Sequence, residues 1–448
     1  MNALRMSRGE MSEFSSMFIP MFVEQFMISG IALFISSIVK ESGVAAVAAI
    51  NMLNSLNMIL QQTFTSLGVG VTVVVAQYRG RGDRAGTGNA ATQAITMTIV
   101  ASLVISGLSF IFRDALLGMI LQEADPEVYQ FGQLYFTYQI LSLPFIALYT
   151  TTAAALRGSG FPRVSLIATL IHNFGYAFMA FASVHWMDAG MMGVSVSLLI
   201  SRVLAAIAGV ILMWRGNEHM HIGRLPLKID FAIAKPILRV GVPLLLEAMI
   251  FQVGKLVTQT FSIPYGTVGI AANGIANNIH TIMLVPGTTA STCAPAIVGR
   301  YLGRGELEDA KRKGSQFLWL TTILMTLSCI ITMLLMKPLA AAASDNPEVL
   351  QQVYINVTTF CIAVPFMWSL GFVTPAILRT SGDGKYTSIV IIGAMLSMRI
   401  TIGYIMTRVL MVGIVGIWYG MIADWGVRIL FFYPRFRSGK WLQHKLLD

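Results

Sequence analysis

The sequence predicts an all-α membrane protein of twelve transmembrane helices, arranged as two parallel six-helix repeats related by a pseudo-twofold along the membrane normal. Three observations predict this. The chain of 448 residues is 55% apolar and only 12% charged, too little polar surface for a soluble domain of this size. Its basic residues cluster in alternate loops. Its second half repeats the first at a nearly constant offset.

Apolar stretches bounded by charge or by Gly/Pro clusters fall at 14–38, 44–77, 90–112, 130–155, 162–184 and 190–214, then at 238–263, 268–299, 315–336, 350–377, 386–407 and 411–433. Each is far longer than the roughly ten residues of a transmembrane strand, so the spans are helical. Two exceed the length needed to cross, which predicts tilt or protrusion. The start, with Arg5 and Arg8, has no short apolar core ending in a small-residue cleavage site, and the first span is expected to be retained.

Taken loop by loop, 23 Lys and Arg residues fall on one side and four (Lys40, Arg113, Lys337, Arg408) on the other. Facing loops are acidic, as at Glu123, Asp125 and Glu127. The net charge of +10 is therefore a topology signal and not a nucleic-acid footprint. It places both termini in the cytoplasm and requires an even number of spans. The three cysteines lie in apolar runs and are expected to be small core residues. His219 and His221 stand in the basic linker without other ligand candidates, so no metal site is expected.

A shift of 223 residues carries Pro20 onto Pro243, Glu24 onto Glu247, Gly43 onto Gly266, Tyr78 onto Tyr301 and Gly80-Arg81-Gly82 onto Gly303-Arg304-Gly305. Small slips later bring Leu156-Arg157-x-Ser159-Gly160 onto Leu378-Arg379-x-Ser381-Gly382, and Gly190-x-x-Gly193 onto Gly413-x-x-Gly416. Paired Pro, Gly, Glu and Arg at one offset mark a true internal repeat. Six spans per repeat make the halves parallel. The expected domains are residues 1–214, a cytoplasmic linker at 215–237, and residues 238–448 with a short cytoplasmic tail.

An ionisable residue inside a span costs a few kcal/mol and is a functional candidate by default. Glu24 lies about ten residues into its span, roughly 15 Å at helical rise, and Glu247 sits equivalently in the seventh. Each is either a cavity carboxylate that takes up a proton or a sodium ion or attracts a cation, or a protonated group bonded to a neighbouring helix beside Gln25 or Gln252. Asp424 and Arg428 have the i, i+4 spacing of a structural ion pair. Lys255, two turns after Glu247, is either its counter-charge or a free cation in the cavity. Arg202 and Arg399 are expected to pack against polar neighbours. His172-Asn173 is either cavity lining or core. The glycines at 80–82 lack the Lys-Ser/Thr of a phosphate loop, so an ion gradient or passive movement supplies the driving force.

These features resemble the multidrug and toxic compound extrusion (MATE) family. The likeness is carried by the two six-span halves, by Ala76-Gln77-Tyr78-x-Gly80-x-Gly82-Asp83 after span two, and by Gly303-x-Gly305 after span eight. Leu156-Arg157-Gly158-Ser159-Gly160 also fits, and Pro20-x-x-x-Glu24-Gln25, Glu247-x-x-x-Phe251-Gln252-x-Gly254-Lys255 and Asp424-Trp425-x-x-Arg428 look like one bacterial branch. The resemblance implies a monomeric inner-membrane antiporter coupled to protons or sodium, exporting organic cations and other amphipathic compounds from a cavity between the halves, with lipid around it and no cofactor. The aspartate that many bacterial members carry in span one would fall near Phe34, Ile35 or Ser36 and is absent here, which moves the coupling role to Glu24. The candidate cavity residues are Glu24, Glu247, Lys255, Gln25, Gln252 and Asn173. A lipid-linked-precursor flippase of the same superfamily is the alternative. An intramembrane enzyme would need a compact catalytic constellation, which the spans lack.

Overall fold

The computed structural model describes residues 6–122, 124–215, 223, 226 and 228–447, with only the backbone of Ala32 and Leu33. Arg5, Glu123, His219, His221, Arg224 and part of the linker lie outside the described residues. The rest is helical, with no strand among the described residues. In order come α1 (Arg8–Glu41), α2 (Val44–Gly80), α3 (Arg84–Ile111), a short α4 (Arg113–Leu121), α5 (Pro126–Gly158), α6 (Pro162–His185) and α7 (Gly190–Arg215). The second half holds α8 (Phe231–Gln259), α9 (Gly266–Met283), α10 (Val285–Gly303), α11 (Leu307–Ala341), α12 (Pro347–Trp368), α13 (Thr374–Arg379), α14 (Gly384–Ala394), α15 (Thr401–Tyr404) and α16 (Val415–Arg437).

Among the described residues, eleven stretches are long and apolar enough to cross a membrane. One of them, Phe231–Met283, is divided by the 3₁₀ turn Thr260–Tyr265, which gives the twelve spans the sequence predicts. Three π-helical stretches, Ser369–Val373, Met395–Ile400 and Ile405–Val409, interrupt the tenth and eleventh spans. The sequence periodicity gave no sign of them. The repeated glycines explain themselves as turns. Gly82 and Gly305 have φ of 73° and 76°, and Gly160 and Gly382 have 78° and 96°, values that side-chain-bearing residues rarely adopt.

The chain forms two compact units, Ser15–Val242 and Met1–Phe14 together with Pro243–Asp448. Neither break coincides with the linker at 215–237; each falls inside the first helix of a half. The start of α1 therefore belongs with the C-terminal unit. There Ser7 and Glu10 form a capping box, with Glu10 N donating to Ser7 Oγ (3.2 Å) and Ser7 N to Glu10 Oε2 (2.7 Å), which satisfies two free donors of the helix start. Lys313 and Arg312 donate to Glu10 Oε1 at 2.9 and 3.2 Å, and Arg300 donates to Glu13 at 2.9 Å. The start of α8 belongs with the N-terminal unit, where a Cβ on Gly70 would lie 2.4 Å from the Ile237 carbonyl oxygen.

In the N-terminal unit α5 is the central helix, and its run Thr151-Thr152-Ala153-Ala154-Ala155 is buried throughout. Small residues let α2 and α5 approach closely, the usual device where burial from water cannot drive association. A Cβ on Gly158 would meet the Thr72 carbonyl at 2.7 Å, and Thr72 Oγ1 donates to the Ala154 carbonyl at 3.0 Å. In the C-terminal unit α16 packs among α12, α14 and the π stretches. Its Trp418, Met421 and Trp425 join Met325, Phe360 and Trp368 in one core.

Candidate functional site

Each unit pairs its mid-span glutamate, buried at Glu24 and half-buried at Glu247, with the arginine of its own Leu-Arg-x-Ser-Gly motif. In the N-terminal unit Arg157 Nη1 lies 3.4 Å from Glu24 Oε1, Thr169 Oγ1 donates to that oxygen at 3.0 Å, and Tyr149 OH lies 2.7 Å from Thr169 Oγ1. The other oxygen, Glu24 Oε2, is buried and has no hydrogen-bond partner. In the C-terminal unit Arg379 and Ser388 both donate to Glu247 Oε2, Ser388 at 3.0 Å. Arg379 Nε also donates to Thr387 at 3.1 Å. Ser165, which accepts from Arg157 at 3.3 Å, is the repeat counterpart of Thr387, each standing eight residues after its arginine. The duplicated motif is thus a glutamate, an arginine and the hydroxyl residue eight positions after that arginine.

The sequence treated Arg157 and Arg379 as loop charges that mark topology. Their sequence signal was present, because the two halves repeat the arginine at nearly the same remove from the glutamate, 133 residues in one and 132 in the other. A guanidinium on a long side chain reaches back from the end of its helix, and helical periodicity does not register that reach.

The remaining candidates fall in separate places. The Gln25 backbone carbonyl accepts from Ser29 Oγ at 3.1 Å. Gln252 is half-buried on α8. Asn173 Nδ2 donates to the Thr169 carbonyl at 2.9 Å, one turn from the Glu24 pair. Asp424 and Arg428 are bound through both oxygens at 2.8 and 2.7 Å, with the side chains 0% and 2% exposed. Lys255 does not meet Glu247, whose partner is Arg379; it lines a pocket with Arg399, Asn273, Asn277 and Trp418. Arg202 donates to Gln139 Oε1 at 3.0 Å and to Ser142 Oγ, and is 3% exposed. His172 lies between Tyr149 and Tyr176, and His280 among Phe360, Trp418 and Trp425.

A helical membrane chain built of duplicated halves, each holding ionisable groups inside its spans, has the design of a secondary transport protein. The MatE family model matches residues 20–181 and again residues 243–405, and the chain belongs to that family. It is 24% identical over 411 residues to a protein of Thermotoga maritima named probable multidrug resistance protein NorM, covering 90% of this chain and 87% of that one. It is 25% identical over 415 residues to the uncharacterized transporter YisQ of Bacillus subtilis, covering 90% and 88%. A solved outward-facing multidrug resistance MATE family transporter of the MOP superfamily superposes with a TM-score of 0.89 at 19% identity, over 98% of both chains.

Proposed function

We propose that the protein is an inner-membrane multidrug efflux transporter with both termini in the cytoplasm, exporting organic cations and other amphipathic compounds by antiport with protons or sodium. The relatives named for multidrug resistance and extrusion support this reading. The observation that carries the coupling is the half-satisfied Glu24 carboxylate. One oxygen is engaged by Arg157 and Thr169, while the other is buried without a partner. A buried acceptor left unmatched costs about 1–3 kcal/mol, so a proton or a sodium ion arriving at Oε2 relieves a penalty built into the resting site. The same event weakens the hold on Arg157, which links ion uptake to a local rearrangement. Glu247 is the second candidate, with Arg379 and Ser388 both donating to its Oε2.

The test uses vesicles loaded with a fluorescent organic cation and given either a proton or a sodium gradient. Wild type empties the dye under at least one gradient, and the gradient that works names the ion. Glu24→Gln, an isostere of the protonated acid, stays folded by gel filtration and loses gradient-driven efflux. Efflux indifferent to both gradients, or unchanged in Glu24→Gln, removes this mechanism.

A further inference from the structure

The pocket at Lys255 lies within the C-terminal unit and is partly open to its surroundings. Its charge is one-sided. Both oxygens of Asp424 are held by Arg428 at 2.8 and 2.7 Å, and Arg399 reaches the same carboxylate only at 3.9 Å. Lys255 makes no ion pair among the described residues. One acid therefore serves two arginines and a lysine, which leaves two positive charges uncompensated.

Most of the unpartnered hydrogen-bonding groups at the pocket are donors, Asn273 Oδ1 being the buried acceptor among them. Nε of Arg399 and Nε1 of Trp418 are buried donors without a partner, and the Lys255 ammonium brings three more N–H groups. Leaving charge and donors unmatched in apolar surroundings is costly. Arg399 is nevertheless held firmly. Its π-helical segment is wedged where a Cβ on Gly254 would lie 2.4 Å from Met395 Cε and one on Gly420 would lie 2.6 Å from the Arg399 carbonyl oxygen. Its guanidinium sits 5.1 Å from the centre of the Phe251 ring. The far wall is apolar, formed by Met421 and by Trp418, which stacks on Phe360 at 5.0 Å.

We infer that this pocket binds an organic anion, with a carboxylate or phosphate group between Lys255 and Arg399 and an apolar or aromatic body against Trp418 and Met421. The inference rests on the efflux reading above and extends its substrate class to anionic amphiphiles, the opposite sign to an organic cation.

Three probes with one aromatic body separate the headgroups: naphthoate, naphthyl phosphate and (naphthylmethyl)trimethylammonium, each titrated calorimetrically into the purified full-length protein. At least one anion binds more tightly than the cation, and which anion does so distinguishes carboxylate from phosphate. Lys255→Gln weakens that anion by about tenfold or more, the equivalent of losing one charged contact, while Lys255→Arg retains it. Asn277→Asp, a second variant on the same wall, weakens the anion and strengthens the cation. A cation that binds as tightly as both anions, or anion binding that is unchanged in both Lys255→Gln and Asn277→Asp, overturns the site. Dye efflux in vesicles is read alongside. Gradient-driven efflux of a cation with no anion binding sinks this inference alone, whereas anion binding that depends on Lys255 with no gradient-driven transport sinks the efflux reading alone.

Discussion

At the residue scale, Glu247 plays two parts that a single substitution cannot separate. Glu247 is an anchor for Arg379, whose side chain is only 9% exposed. Removing one partner of a buried pair costs about 3–5 kcal/mol because the other charge is left stranded. Glu247→Gln alone should therefore lower the yield and thermal stability of the purified protein. Adding Arg379→Met, which removes the stranded charge, should recover much of that stability in the same thermal assay. Full stability of the single variant would show that the pair carries no structural weight. If ion coupling also uses Glu247, the stabilised double variant remains unable to couple. The carboxylates themselves were legible in the sequence, since a glutamate in mid-span stands out from an apolar run. Their partners were not, because Arg157 and Arg379 stand at the ends of their helices, where the sequence reads them as topology charges, while their side chains turn to the interior. Lys255 shows the opposite failure. Spacing along α8 places it on the face of Glu247, but the neighbour that decides its role, Arg399, comes from a π-helical stretch whose register no 3.6-residue pattern predicts.

At the scale of single elements, the fold depends on places where a side chain has no room. Gly158→Ala would press its methyl group against the Thr72 carbonyl at 2.7 Å and Val75 at 3.0 Å, and overpacking of this kind costs about 1–3 kcal/mol. Gly107 of α3 has nothing within 4 Å, so Gly107→Ala should be neutral or slightly stabilising through helix propensity. The contrast between the two in thermal unfolding tests the close approach of α2 and α5; equal effects would refute it. The head of α1 gives a pH signature. The Ser7 backbone N–H, and after it the Lys313 ammonium, hold the Glu10 carboxyl down at about 2, against 4.5 ordinarily. A depressed carboxyl pKa contributes stability that is complete above the unfolded value and fades as pH falls toward the folded one. The stability gap between wild type and Glu10→Gln should accordingly be constant at neutral pH and close between about pH 4.5 and 2. A gap that changes between neutral pH and about pH 6 would point to another group. Helix ends and turns were well foreshadowed, because Gly and Pro punctuate the sequence where the backbone reverses. The break at Thr260–Tyr265 was anticipated as a boundary between spans. The split of the eighth span into α9 and α10 and the added α4 were not, since apolar content alone does not distinguish a continuous helix from a jointed one.

At the scale of the whole molecule, the repeat in the sequence and the compact units in space have different borders. The alignment of the halves suggests a cut in the basic linker, but the units divide at Phe14/Ser15 and Val242/Pro243. Two fragments made by cutting the linker and expressed separately should each be degraded or aggregate, and the same fragments expressed together should copurify. A C-terminal fragment that is stable alone would contradict this division. The borders also set a rule for recombination. A chimaera that replaces one half by that of a relative inherits mismatched ion pairs at Glu10 and Glu13 if it is joined at the linker, because those acids travel with one parent and Arg300, Arg312 and Lys313 with the other. Crossovers placed inside the two first helices keep each set of partners within a single parent. In this chain the inheritable module is therefore offset from the duplicated one by the opening turns of a helix.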